Sequence, residues 1–96
     1  MRKKNTESLA DVIRQVLKAN RLEKPLYEKR IIDAWGVVLG GNILQYTGQM
    51  YIRNRILYVQ LTSSVLRYDL FLTREEIKNA LNKHVGAEVI DDIVLK

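Results

Sequence analysis

The chain has 96 residues, 47% hydrophobic and 28% charged, which is the composition of one folded domain and excludes a second core or a disordered chain. Sixteen Lys+Arg against eleven Asp+Glu leave a charge of +5, a surplus that favours polyanions and makes their binding salt-dependent. Cysteine is absent, which excludes disulfides, thiolate catalysis and sulfur-ligated zinc and fits a reducing, cytoplasmic setting.

Residues 1–6 form a basic tail carrying Arg2, Lys3 and Lys4; no apolar stretch follows it, so it is not a secretory signal. No apolar run approaches the ~20 residues that a membrane span needs. Thr6 or Ser8 caps a first helix to about Asn20. Its Leu9, Val12, Ile13, Val16 and Leu17 recur at i, i+3, i+4, i+7 and i+8, which predicts one buried stripe. Asp11, Arg14, Lys18 and Arg21 lie opposite it. A second helix begins near Pro25, a residue suited to a first turn, and runs to Leu39 with Tyr27, Ile31, Ala34, Trp35 and Val38 inward. Gly40-Gly41 stops it.

The period then changes. Residues 49–53 and 56–62 predict two strands joined at Asn54-Arg55, with Leu57, Val59 and Leu61 alternating against Ile56, Tyr58, Gln60 and Thr62. A two-residue loop sets Arg53 opposite Ile56, Ile52 opposite Leu57, Tyr51 opposite Tyr58 and Met50 opposite Val59. Arg55 is a poor residue for a left-handed position, so a loop one residue longer is the alternative. Thr62-Ser63-Ser64 then caps a long third helix to about His84 or Val85. Leu66, Leu70, Ile77, Ala80 and Leu81 share one face, and Gly86 ends it. Val65, Tyr68, Phe71 and Leu72 make its first half apolar nearly all round. That predicts a segment sandwiched between sheet and helix or between two subunits. Residues 88–95 predict the last strand. The expected fold is α+β, in the order α-α-β-β-α-β, with helices on one face of a three-stranded sheet.

No catalytic set assembles along the chain, so the expectation is a protein that is not an enzyme and takes no metal or other cofactor. His84 is the single histidine, and a helix's last turn explains it. Glu75-Glu76 sit one step apart on a helix, and Asp91-Asp92 point to opposite faces of a strand; neither pair converges on a site. Ser63 and Ser64 are explained by capping, and Gly36, Gly40 and Gly41 make no phosphate-cradling motif.

Binding residues are easier to find. Three basic groups stand out: Arg2, Lys3 and Lys4 in the tail; Arg14, Lys18 and Arg21 on the first helix; Arg53 and Arg55 at the hairpin tip. The hairpin is the most informative, because Tyr51 and Tyr58 beside guanidinium groups suit stacking of unpaired bases. The plainer alternative is a cross-strand aromatic pair that stabilises the sheet.

The block Trp35-Gly36-Val37-Val38-Leu39-Gly40-Gly41-Asn42-Ile43 resembles the W-x-x-V-x-G-x-x-I/L signature of the DciA-like family, with Thr47 in place after Gln45-Tyr46. The strand Ile56-Leu57-Tyr58-Val59-Gln60-Leu61, the following Thr62-Ser63-Ser64 and Leu70, then Leu81-Asn82 and the closing Val89-Ile90-Asp91-Asp92-Ile93-Val94-Leu95 resemble the rest of its pattern, over roughly residues 8–95. The resemblance implies a KH-like fold of the second topological type, DNA binding, and a role in loading or operating the bacterial replicative helicase at replication initiation. The chain departs from the pattern in having Val65-Leu66 where a tryptophan is usual, Asn54-Arg55 for Asn-Gly, and no GXXG loop. Longer members carry a C-terminal extension implicated in helicase contact. The expected partners are single- or double-stranded DNA, bound weakly and with little sequence preference, and a helicase. Two alternatives stay open: an interaction adaptor or homodimer using Val65, Tyr68, Phe71 and Leu72, and an RNA-binding module.

Overall fold

A computed structural model describes residues 8–19 and 23–96 of the chain. Helix α1 spans Leu9–Ala19 and α2 spans Glu23–Leu39; a 3-10 turn at Gly41–Tyr46 leads into strands β1, Thr47–Arg53, and β2, Ile56–Leu61. Helices α3, Ser64–Leu72, and α4, Arg74–Val85, precede strand β3, Asp92–Leu95. The sheet order is β1-β2-β3, with β1 antiparallel and β3 parallel to the central β2. Parallel pairing needs a long crossover, which α3 and α4 supply.

The core lies between the sheet and the helices. Ile31, Ala34 and Trp35 of α2 and Ile77 and Leu81 of α4 pack with Leu57, Val59 and Leu61 of β2, together with Ile43, Ile90 and Ile93. Trp35 is fully buried, so its indole N–H needs a partner. Nε1 donates to Thr47 Oγ1 at 3.0 Å, and that hydroxyl donates to the Ile43 carbonyl at 2.7 Å. This short relay ties α2 to the 3-10 turn and to the first residue of β1.

The hairpin register is the expected one: Arg53↔Ile56, Ile52↔Leu57, Tyr51↔Tyr58 and Met50↔Val59. Asn54 and Arg55 both take positive φ, 53° and 65°, the geometry of a two-residue type I′ turn. Arg55 tolerates this position because the turn is docked. Its Nε and Nη2 donate to the two carboxylate oxygens of Asp91 at 3.0 and 2.9 Å, and Nη2 also reaches the Glu88 carbonyl at 2.8 Å.

Three expectations are corrected. The third helix is two helices, because the chain breaks at Thr73. There Thr73 Oγ1 turns back onto the Leu70 carbonyl at 3.4 Å and Arg74 Nη1 donates to the Phe71 carbonyl at 3.3 Å, so side chains satisfy carbonyls at the end of α3. The last strand starts at Asp92 rather than residue 88. The segment before it is held off the ladder by Asn82, whose Oδ1 accepts from the Val89 and Ile90 amides and whose Nδ2 donates to the Ile90 carbonyl. The α1 stripe is not buried: Leu9 is 75% exposed, and Val12, Ile13 and Val16 are exposed as well. Helix α1 meets α2, and among the described residues no second layer lies over it.

Candidate nucleic-acid interface

Residues of α2 and α4 pack on one face of the sheet, and among the described residues no helix covers the other. Alternation decides what that face shows. Leu57, Val59 and Leu61 point inward, which sends Ile56, Tyr58 and Gln60 outward, with Gln49, Tyr51 and Arg53 beside them on β1 and Val94 on β3. Tyr51 and Tyr58 stack on each other with centroids 4.8 Å apart and planes 12° from parallel. Lys96 follows β3 along the same rim. Its backbone bridges Val59 and Leu61, and its Nζ stands 5.4 and 5.5 Å from the two ring centroids. Nζ also donates to the Tyr51 hydroxyl at 3.1 Å.

Beside the stack, Gln49, Tyr51, Gln60 and Lys96 line a shallow depression of about 160 Å³. Gln60 lies flat across the strand here, and Gly48 makes room for it: a Cβ at that position would come within 3.0 Å of Gln60 Oε1. Amide, hydroxyl and ammonium groups around an aromatic floor are groups that pair with the edges and backbone of unstacked nucleotides. Arg53 stands exposed at the tip of this face and makes no ion pair among the described residues.

The remaining sequence-predicted cations are placed elsewhere. Arg55 is held by Asp91, and the pairing raises the guanidinium pKa and lowers that of the carboxyl. Arg14 sits 3.1 Å from Asp11, and hydrogen bonding to Tyr27 is the main cause of its raised pKa. Both line a separate cleft of about 660 Å³ in which Glu23, Glu28 and Glu88 balance Arg14, Lys24 and Arg55. That cleft is not a basic patch. Arg2, Lys3, Lys4 and Arg21 lie outside the described residues, and the Lys18 side chain is likewise not described. Sequence reasoning missed Lys96, because its place beside Tyr51 depends on the parallel pairing of β2 with a strand more than thirty residues away.

The Arg55–Asp91 clasp makes a pH prediction. A carboxyl with a depressed folded-state pKa stabilises the fold above its unfolded pKa, and that stabilisation is lost as pH falls through the folded value. Thermal melts should therefore show an acid limb below about pH 4 that is shallower in Asp91→Asn than in the parent. Limbs of equal steepness would show that the clasp is not coupled to folding.

A second surface is apolar. Val65 is 71% exposed and Tyr68 63%, with Phe71 and Leu72 beside them on α3, while Arg74 stacks over the Phe71 ring at 4.3 Å. Among the described residues the helix is thus open on this side rather than sandwiched. Among the described residues no group of three or more His, Cys, Asp or Glu is placed to hold a metal ion, and no helix is long and apolar enough to cross a membrane.

The family model described as "Dna[CI] antecedent, DciA" matches residues 8–95. No curated protein matches the chain.

Proposed function

The chain belongs to the DciA family, which is linked to loading of the replicative helicase in bacteria, and from that premise we propose that it is a non-enzymatic, DNA-binding helicase accessory of the bacterial cytoplasm. Single-stranded DNA lies across the open sheet face. Tyr51 and Tyr58 provide the aromatic floor, Lys96 and Arg53 meet phosphates, and Gln49 and Gln60 meet base edges. The observation that supports this most is the Lys96 ammonium set over the stacked tyrosine pair, beside an open depression. The KH-like reading fits the order of helices and strands, but a GXXG clamp has no counterpart here, so the contacts are assigned to the sheet face instead.

The basic tail and the first-helix cations Lys18 and Arg21 would add sequence-independent attraction. The exposed α3 residues Val65, Tyr68, Phe71 and Leu72 suit a protein partner, and the helicase is the one to which the family points.

Fluorescence anisotropy with a labelled single strand tests this reading. Tyr51→Ala/Tyr58→Ala should weaken binding at least tenfold, since stacking contributes about 1–3 kcal/mol per base. Lys96→Gln should lower the salt slope by about 0.7, one phosphate contact's worth on a single strand. A folded double variant with parental affinity sinks the sheet-face assignment. Tighter binding of RNA of the same sequence would turn the reading to an RNA module. For the second surface, Tyr68→Asp/Leu72→Asp should abolish helicase capture from nuclease-treated lysate and leave DNA affinity intact.

A further inference from the structure

Strand β1 is an unpaired edge. The two-residue turn makes Arg53 and Ile56 exchange backbone bonds, and alternation then points the N–H and C=O of Ile52 and Met50 away from β2. Among the described residues, no hydrogen bond reaches those groups from the open side. Soluble proteins guard such edges with prolines, lysines, inward-facing charges or very short strands. The seven residues TGQMYIR carry no proline, lysine or inward-facing charge; their one charge, Arg53, is at the turn end, and the irregularity between Thr47 and Met50 lies outside the regularly paired stretch 50–53. The opposite edge, β3, has four residues and is flanked by α3 and α4.

We propose that β1 pairs with β1 of a second copy of this chain, antiparallel about a two-fold axis at Tyr51, so that two three-stranded sheets become one of six strands. The side chains select both occupant and register. Tyr51 meets the partner's Tyr51 at the close, non-hydrogen-bonded spacing of about 4.5 Å between Cα atoms. The Tyr51–Tyr58 stack then continues into a four-ring ladder across the joint. Met50 meets the partner's Ile52, the two exchange both backbone bonds, and these half-buried side chains at the core margin become covered. Arg53 meets the partner's Gln49, so no like charges oppose. An axis at Arg53 would set guanidinium against guanidinium, and one at Gln49 would fall in the irregular stretch. The contact is isologous and closes on itself, giving a dimer and no filament. It rests on strand geometry and not on the DNA reading.

Sedimentation equilibrium without nucleic acid tests the pairing. The parent protein should shift from monomer to dimer mass as concentration rises. Met50→Pro and Ile52→Pro should stay monomeric with their melting transitions kept, because each removes an amide that faces outward. The chain has no cysteine, so oxidised Tyr51→Cys can bridge only between copies. Its expected Cα spacing lies within the roughly 4.4–6.8 Å that a disulfide spans, and most of the protein should run as a covalent dimer. Val65→Cys on α3 should not. A parent protein that stays monomeric up to about 1 mM overturns the proposal. So does a dimer that persists in the folded proline variants, or one that cross-links through Val65→Cys and not Tyr51→Cys. Should the proline variants not fold, the parent mass and the cross-link decide whether β1 pairs.

Discussion

Replacing Trp35 by alanine is expected to remove about 3–5 kcal/mol of stability, the usual cost of truncating a buried aromatic. A chain of 96 residues has roughly 5–14 kcal/mol in total, so the variant should sit close to unfolding at growth temperature. The cost has two sources. One is the cavity left among Ile31, Leu57, Val59 and Leu81, whose side chains are anchored on three elements and cannot all collapse inward. The other is the lost bond from Nε1 to Thr47 Oγ1. Thr47→Val separates them: it keeps the volume but strands the indole N–H and frees the Ile43 carbonyl, at about 1–3 kcal/mol for each buried group left unpaired. Urea unfolding checks both, with a midpoint about 1–3 M lower for Trp35→Ala. A loss below 1 kcal/mol would mean that the indole does not anchor the core.

The second large effect is expected at Asn82, where alanine should cost about 2–4 kcal/mol. One amide side chain makes three bonds of 2.9–3.1 Å to the backbone of Val89 and Ile90. Ile90 is almost wholly buried, so its amide and carbonyl have little water to turn to when the side chain is gone. The damage should spread along the chain in a defined order. Residues 88–91 loosen first, then the Arg55–Asp91 clasp that docks the hairpin turn, then the start of β3. Hydrogen exchange should quicken at Val89 and Ile90 while the β1–β2 ladder stays protected. Uniform quickening across the sheet, or stability within 1 kcal/mol of the parent, would refute this account.

Both residues act through a short relay of named contacts. Trp35, Ile43 and Thr47 form one unit in this chain, because a buried indole needs a hydroxyl in one place and that hydroxyl donates to one carbonyl. At Leu81-Asn82 the core and the β3 lead-in are fastened side by side. These residues hold the fold, whereas the candidate interface is carried by exposed side chains outside the core. Gln49, Arg53 and Lys96 are of that kind.

Local physics accounts for what was legible. A period of 3.6 marks α2 and its inner face, and a period of 2 marks the hairpin, its register and the outward Tyr51–Tyr58 pair. Both depend on neighbours within a few residues. The break at Thr73 escaped because apolar spacing continues across it; carbonyl capping by Thr73 and Arg74 decides the turn, and spacing does not report capping. The late start of β3 escaped because Val89 and Ile90 have strand-like side chains, while Asn82 takes their backbone groups away from the ladder.

From composition and period alone, then, follow the α+β class, the identity of most elements and the side of each that is apolar. The tertiary structure decided which apolar sides are covered and which charges are free. The α1 stripe and the start of α3 have the pattern of buried faces and yet stand open, because burial needs a second surface and the described chain supplies none there. Arg55 and Lys96 look alike as cations in a sequence. One is held by a carboxylate thirty-six residues away, and the other is set over two tyrosines by a parallel strand. Distances of that kind in sequence carry no local signal, since only the folded chain brings the partners together.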